Sequence, residues 1–331
     1  MSTIQSSLIV GAGISGLLAA RKLSDAGIPV TVIEKGRGVG GRMATRRIGP
    51  GVSDHGAQFI TARYTRFSEL LSEWQKSDVV AAWSHGFPDT EGRLPVAGHP
   101  RFRGAEGMTS VPKYLAAGLS VHLNQRALRA DVYDNMWRIV TEQNQEFSGH
   151  ALVLTPPAPQ SLALLSDAAA YIPESLLREL QRLEYHPTLS LILLLDGPSK
   201  IPSPGALHVV DGTVAWIADN RQKGISPRAT TVTIHASHRF STTHFDTPEE
   251  SAVAAMISAV QPFIGASVAE AQLHRWRFAE PVRVASVPAL LAVASPPLIF
   301  AGDAFGGANV EGAALSGLAA ADLLLELFRK S

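Results

Sequence analysis

The sequence predicts an α/β fold: a Rossmann-type dinucleotide-binding domain joined to a second α+β domain built on a mixed sheet. Three observations predict it. A glycine-rich turn, Gly11-Ala12-Gly13-Ile14-Ser15-Gly16, lies between two strand-like apolar runs, Leu8-Ile9-Val10 and Val30-Thr31-Val32-Ile33. A strand-like run near the C-terminus, from Pro297, closes on Gly302-Asp303 and leads into an amphipathic helix. Between them, residues 160–288 alternate strand and helix patterns that leave the first arrangement. At 331 residues with 46% apolar side chains, the chain has material for two cores.

The first unit reads as β-α-β. Gly11 permits the tight turn off the strand, Gly13 leaves room for a pyrophosphate, and Gly16 lets helix and strand approach. The helix N-terminus at Ile14 and Ser15 offers unpaired N–H groups to phosphate oxygens. Glu34 lies 18 residues beyond Gly16, where a carboxylate accepts ribose hydroxyl hydrogen bonds. This unit alone does not say which dinucleotide.

The run Lys35-Gly36-Arg37-Gly38-Val39-Gly40-Gly41-Arg42-Met43 narrows the choice. Gly40-Gly41-Arg42 resembles the GG motif of the flavoprotein superfamily that contains amine oxidases and phytoene desaturases. The resemblance implies backbone and arginine placed near the FAD diphosphate, and an arginine suits phosphate because its planar donors bind two oxygens together. Asp54-His55-Gly56-Ala57-Gln58-Phe59-Ile60 reads as a loop entering a strand. Tyr64–Lys76 carries Phe67, Leu70, Leu71 and Trp74 at helical intervals, and residues 84–107 read as a long loop or two short strands. A helix is expected from about Ser110 to Ala117 and a strand over Leu119–Leu123.

Ala127–Tyr133, Met136–Thr141 and a short piece near Phe147 form a predicted meander, with Asp134-Asn135 as hairpin chemistry. The apolar strand Ala151–Leu154 follows, ended by Thr155-Pro156-Pro157. A three-stranded meander that returns to the parallel sheet is the layout of glutathione-reductase-type FAD-binding domains. Ala127 then stands where superfamily members offer backbone groups to the adenine. Pro173–Leu183 and Pro248–Phe263 read as helices; Thr188–Leu195, Ala206–Val210, Thr213–Ala218, Thr230–Ala236 and Ala271–Phe278 read as strands. Gly302-Asp303 is the expected second contact with FAD, and the helix beginning near Gly312-Ala313 suits the flavin N1/C2-carbonyl edge. The predicted division is residues 1–62, 104–158 and 289–331 for FAD, and 63–103 and 159–288 for substrate.

Over nearly its full length the chain resembles bacterial members of the renalase family. The residues that carry this are Gly11–Gly16, Lys35 through Arg42, Asp54 through Ala62, Gly107-Met108, Thr155 through Gln160, Trp216 with Asn220-Arg221, His235-Ala236-Ser237, His274-Arg275-Trp276, and Gly302-Asp303 with Glu311-Gly312-Ala313. The resemblance implies non-covalent FAD and a p-hydroxybenzoate hydroxylase or monoamine oxidase-like fold. It also implies an activity: oxidation of misreduced nicotinamide dinucleotides, the 2-dihydro or 6-dihydro isomers of NAD(P)H, to NAD(P)+, with dioxygen reduced to hydrogen peroxide.

Such a reaction needs no nucleophile and no carbon acid, so the sequence is expected to hold no triad, carboxylate pair or metal site. Gln58, Trp216, Arg221, His235, Arg275 and Trp276 are the candidates for a substrate pocket: aromatic walls, a carboxamide partner and phosphate contacts. His235 and His238, three apart on a predicted strand, fall on opposite faces and make poor joint ligands. Two other readings stand beside this one. A true amine oxidase of the superfamily often uses a lysine near the flavin, and the only lysines between 160 and 288, Lys200 and Lys223, sit beside Pro or Gly in predicted loops. A flavin-binding sensor is the third.

Composition bounds the rest. The 29 basic and 29 acidic side chains cancel, so no net charge draws the chain to nucleic acid or an anionic membrane. The absence of cysteine excludes disulfides, catalytic thiols and a cysteinyl-linked flavin. Leu8–Ala20 has no basic residue before it and is too short to span a bilayer, so a cytoplasmic protein with small-molecule partners is expected.

Overall fold

The computed structural model describes residues 5–94, 98–165, 168–210 and 212–330. They form two compact units: residues 1–41, 112–184 and 280–331, and residues 42–111 and 185–279.

The first unit is built on six strands in the order Leu290–Ala294, Pro297–Phe300, Ala151–Leu154, Ser7–Val10, Val30–Ile33, Ser120–His122. Every pairing is parallel except that of Leu290–Ala294 with Pro297–Phe300. Ser7–Val10 and Ala151–Leu154 are buried at every position, which is why they read as unbroken apolar runs rather than alternating ones. Helix Ile14–Asp25 leaves the first strand, and helix Val310–Lys330 packs on it so closely that a Cβ at Gly317 would stand 2.1 Å from the Ser15 carbonyl oxygen. The meander Ala127–Tyr133, Met136–Thr141, Glu146–Gly149 is present as expected. Asp134 and Asn135 turn its first hairpin at φ 49° and 56°, the left-handed pair such a two-residue loop requires.

The second unit is built on five strands in the order Ala206–His208, Val214–Asp219, Thr230–Ala236, Tyr185–Leu195, Val268–Pro281. Its two faces differ sharply. Leu191, Leu193, Leu207, Ile217, Val232 and Ile234 form an aliphatic core with Ala252, Met256 and Val260 of helix Glu249–Ile264. The opposite face carries His208, Trp216, His235 and Ser190 abreast on four adjacent strands, by the registers His208↔Trp216, Trp216↔His235 and Ser190↔His235.

The units divide the chain differently from the sequence-based boundaries. Residues 42–62 and 104–111 go with the second unit, because the hairpin Thr45–Ile48/Gly51–Asp54 is bonded to its sheet. Thr231 Oγ1 donates to the Val52 carbonyl (2.6 Å) and Thr233 Oγ1 to the Asp54 carbonyl (2.9 Å). Residues 159–184 and 280–288 go with the first, where helix Ala158–Leu164 packs on the meander strand Ala127–Tyr133.

Two local expectations change, and one left open is decided. The strand next to the Asp-His-Gly turn precedes it, as Gly51–Asp54, rather than following it. The strand Thr230–Ala236 keeps its expected bounds, so His238, expected to share a strand with His235, lies beyond its end. His238 opens a short helix, His238–His244, whose N-terminal cap is Ser237, accepting from the Phe240 amide at 3.3 Å. Of the two alternatives for residues 84–107, the described residues show a short strand, Arg101–Gly104, paired with Val80–Ser84 just before them.

Candidate active site

In the first unit the glycine turn closes as the sequence demands. Gly11 lies at φ +101°, and a Cβ at Gly16 would stand 2.0 Å from the Gly11 carbonyl oxygen. Around Gly13 there is open space: a Cβ there would meet nothing within 4 Å. Gly40 and Gly41 return to this turn, the Gly40 amide donating to the Ala12 carbonyl (2.8 Å). Glu34 is buried at the end of its strand, with Oε2 accepting from the Ala12 amide (2.7 Å) and Oε1 from the Gly36 amide (2.6 Å). Each carboxylate oxygen keeps a lone pair for a further donor. The Glu34 carbonyl accepts from Gln125 N, next to the meander strand that begins at Ala127. Lys35 reaches Gln160 Oε1 at 3.4 Å, and burial followed by the Arg126 charge lowers its pKa.

At the C-terminal end, Gly302 N donates to Ser316 Oγ (2.8 Å), and the buried Asp303 opens the short helix Asp303–Gly306 after the strand Pro297–Phe300. The long helix starts at Val310. Asn309 Oδ1 caps it by accepting from the Gly312 amide (2.7 Å), so that particular amide, expected to face a flavin, is already engaged.

The second unit gathers a polar cluster around the turn at residues 54–58. The turn is latched to Arg42: Ala57 N donates to the Arg42 carbonyl (2.8 Å), and a Cβ at Gly56 would stand 2.0 Å from that oxygen. Met43, next to Arg42, is buried. The Arg42 guanidinium donates to the Phe278 and Ala279 carbonyls at 3.4 and 3.1 Å. Gln58 Nε2 donates back to the Asp54 and Gly56 carbonyls, which leaves Oε1 buried with no partner among the described residues.

His55 is 3% exposed. Its ring lies edge-on to His274 (centroids 4.8 Å apart) and near Trp276 (5.2 Å), and Trp276 Nε1 donates to the His55 carbonyl (3.0 Å). All three histidines of this cluster are held neutral. Burial, aided by the His274 and Arg46 charges, lowers His55 to about 3; burial lowers His235 and His274 each to about 4.

Beneath this turn lies an ion pair that sequence reasoning missed. Lys223 Nζ meets Asp54 Oδ2 at 2.7 Å with both side chains wholly inaccessible. Asp54 Oδ1 also accepts from Met108 N (2.8 Å) and Thr45 Oγ1 (2.6 Å). The ammonium lies 4.7 Å from the centroid of the Trp83 ring. Burial lowers the Lys223 pKa, and Asp54 opposes that. Lys223 thus stands in the expected turn beside Gly224, with its side chain in the core of the unit. No local signal could have paired residues 169 positions apart.

The predicted pocket residues separate into groups. Trp276 joins His55 and His274. His235 joins them through a hydrogen bond to the His55 backbone, and its sheet neighbour is Trp216. Trp216 is packed among Phe59, Trp83, Phe87 and His208. Arg275 leaves the cluster: successive side chains of a strand point to opposite faces, and its guanidinium is taken up by the Phe245 and Thr247 carbonyls and Glu249. Arg221 is exposed on a separate groove of about 610 Å³ with Pro198, Ser199, Asp219, Gln222 and Thr230. His274 was within reach of sequence reasoning, two residues before Trp276 and so on its face.

Comparison with known proteins decides the family. Residues 84–325 match the flavin-containing amine oxidoreductase profile, and residues 9–74 match an NAD(P)-binding Rossmann-like domain. The chain belongs to the flavin-containing amine oxidoreductase family. It is a flavoprotein similar to renalase of Mus musculus, 27% identical over 96% of this chain and 98% of that one. Among solved structures, a protein from Exiguobacterium sp. 255-15 assigned provisionally as a protoporphyrinogen oxidase shares the fold at TM-score 0.76 and 15% identity, over 99% of both chains. A putrescine oxidase shares it at TM-score 0.69 and 16% identity, over 97% and 99%.

The cofactor is FAD, and the first unit fits it. The space at Gly13 and the two-oxygen capacity of Glu34 suit a diphosphate and a ribose. So does the buried Ser15 Oγ at the helix start, which has no partner among the described residues. Among the described residues no group of three or more His, Cys, Asp or Glu could hold a metal ion, and no helix is long and apolar enough to cross a membrane.

Proposed function

We propose that this flavoprotein oxidises dihydronicotinamide dinucleotides of the 2-dihydro or 6-dihydro type to NAD(P)+ and passes the electrons to dioxygen. The substrate ring loses a hydride and becomes an aromatic pyridinium. Dioxygen takes the two electrons and two protons and leaves as hydrogen peroxide. FAD supplies the hydride acceptor. In this reading Gly11, Gly13, Ile14, Ser15, Gly16, Glu34, Lys35, Gly40, Gly41, Arg42, Met43, Gly56, Ala57, Gln58, Ala127, Gly302, Asp303, Gly312 and Ala313 hold the cofactor. Substrate specificity lies in the second unit.

One observation carries the reading: the histidines gathered at the second unit's site are buried and neutral, and the carboxylate among them is paired. His55, His235 and His274 are uncharged at physiological pH, and Asp54, the carboxylate within the cluster, is committed to Lys223. A dihydropyridine needs neither a base nor a counter-ion. An amine substrate arrives as an ammonium and needs both a partner charge and a route for its proton. Similarity to renalase along the whole chain supports the same reading. One observation favours the amine reading, a buried lysine in this unit, but Lys223 Nζ is fixed between Asp54 and the Trp83 ring.

The test is a substrate panel under air, with peroxide and oxidised product measured together. Borohydride-reduced NAD isomers should give equal amounts of peroxide and NAD+. Turnover of amines alone would sink the proposal.

A further inference from the structure

Two histidines of the second unit have fixed tautomers, and the fixing leaves a specific chemical imprint. The His55 ring is hydrogen-bonded to the Ala44 backbone, a bond that raises its pKa against burial and therefore donates from the ring to the carbonyl. His55 Nδ1 has no partner among the described residues, so the bonded atom is Nε2–H. A neutral imidazole with Nε2 protonated carries a lone pair at Nδ1. The same logic holds for His235. Its ring donates to the His55 backbone, and Nε2 has no partner among the described residues, so Nδ1 carries the proton and Nε2 the lone pair.

Both buried nitrogens are therefore acceptors. Gln58 Oε1, buried and equally unpaired among the described residues, is a third. Beside His235 in the sheet stand Trp216 and Ser190. The buried Nε1–H of Trp216 is a donor, and it and the buried Ser190 hydroxyl have no partner among the described residues either. Buried polar atoms are nearly always satisfied, so unpaired ones on His235, on its register partners Trp216 and Ser190, and on His55, whose backbone it bonds, call for a ligand with complementary groups. A planar group with two N–H donors and one carbonyl oxygen matches them. A carboxylate does not, because it would set lone pairs against lone pairs in a site already held neutral.

We propose that His55 Nδ1 and His235 Nε2, with Trp216 Nε1–H, form a primary-carboxamide recognition site that selects a nicotinamide ring over the corresponding nicotinic acid. This rests on the dihydronicotinamide reading above and goes past it, assigning the two histidines as specificity-determining groups. Sites built to hydrogen-bond a substrate group reject analogues that lack it by about 10⁴–10⁵-fold at best, so a ratio of at least ~100 is expected.

The holoenzyme is assayed with borohydride-reduced NAD+ and with borohydride-reduced nicotinic acid adenine dinucleotide. The oxidised dinucleotides are also titrated into it by calorimetry, which reads binding without turnover. The amide should lead by at least ~100-fold in kcat/KM and in binding. In His235→Gln and His55→Gln, whose amides can rotate to donate as well as accept, the ratio should fall at least ~10-fold while FAD stoichiometry is kept. A wild-type ratio near one overturns the proposal whatever the variants do, and so does an unchanged ratio in both folded variants. Oxidation of both dinucleotides alike would overturn the carboxamide site and leave the oxidase reading standing. Amide-selective binding with no turnover of either would support the site and overturn the oxidase.

Discussion

Replacing Lys223 by Met should be the most damaging single change in the second unit. The substitution keeps most of the length of the side chain and removes its charge. Among the described residues it leaves the Asp54 carboxylate, 0% accessible, with the Met108 amide and the Thr45 hydroxyl as donors at Oδ1 and, without its direct ion-pair partner, only the longer-range charge of Arg103. Breaking a buried ion pair by deleting one partner costs about 3–5 kcal/mol, because the other charge stays buried without compensation. Domains are stable by only about 5–15 kcal/mol in all, so the loss is a large share.

Removing both charges, as Asp54→Asn with Lys223→Met, should restore most of it, since replacing a whole buried pair is often close to neutral. The carboxamide oxygen introduced at position 54 would still accept from Met108 N. Trp74, Trp83, Trp216 and Trp276 belong to the second unit and only Trp137 to the first, so tryptophan fluorescence during urea unfolding reports chiefly on the unit in question. FAD is kept in fixed excess so that its binding adds equally to every variant. The expected interaction energy is about 3 kcal/mol. A Lys223→Met loss below ~1 kcal/mol, or a double variant as unstable as the sum of the singles, would refute the pair as the anchor of the 54–58 turn.

Other outcomes follow from the same geometry. The histidine pKa values in the folded chain lie below the ordinary 6.5, at about 4 for His235 and His274 and about 3 for His55. The unfolded chain therefore binds protons first as pH falls. Stability should be full above about pH 6.5 and decline toward pH 4, by at most about 1.4 kcal/mol per pH unit for each histidine. Urea midpoints between pH 7.5 and 4.5 check this, and a flat profile would contradict it. Gly16→Ala should weaken FAD binding by at least ~10-fold, because its Cβ would lie 2.0 Å from the Gly11 carbonyl oxygen; flavin-to-protein absorbance ratios after gel filtration measure it. Arg275→Gln should leave kcat/KM for the dihydronicotinamide within about twofold, since its donors are spent on Phe245, Thr247 and Glu249.

What the sequence disclosed was local. The glycine turn, Glu34 and the Asp134-Asn135 hairpin are set by residues within a few positions of one another, and each stands where spacing placed it. Strand periodicity held one further constraint. His274, Arg275 and Trp276 are consecutive, so they cannot all line one pocket, and Arg275 is the one turned away. The pairings that make the candidate site were not legible. Asp54 with Lys223, and His55 with His274 and Trp276, join segments far apart in the chain that meet only when the sheet forms. The hairpin at Thr45–Asp54 is hidden in the sequence because Arg46 and Arg47 interrupt the alternation that marks a strand.

Anaerobic mixing of the FAD-loaded protein with single reductants tests the central claim most directly. Each of 2-dihydro-NAD(P), 6-dihydro-NAD(P) and a panel of primary and secondary amines is presented separately while the flavin absorbance is followed. The account predicts rapid bleaching by at least one of the two dihydro isomers, with NAD(P)+ formed in equal amount and no bleaching by amines. Bleaching by an amine while both isomers leave the flavin oxidised would contradict it.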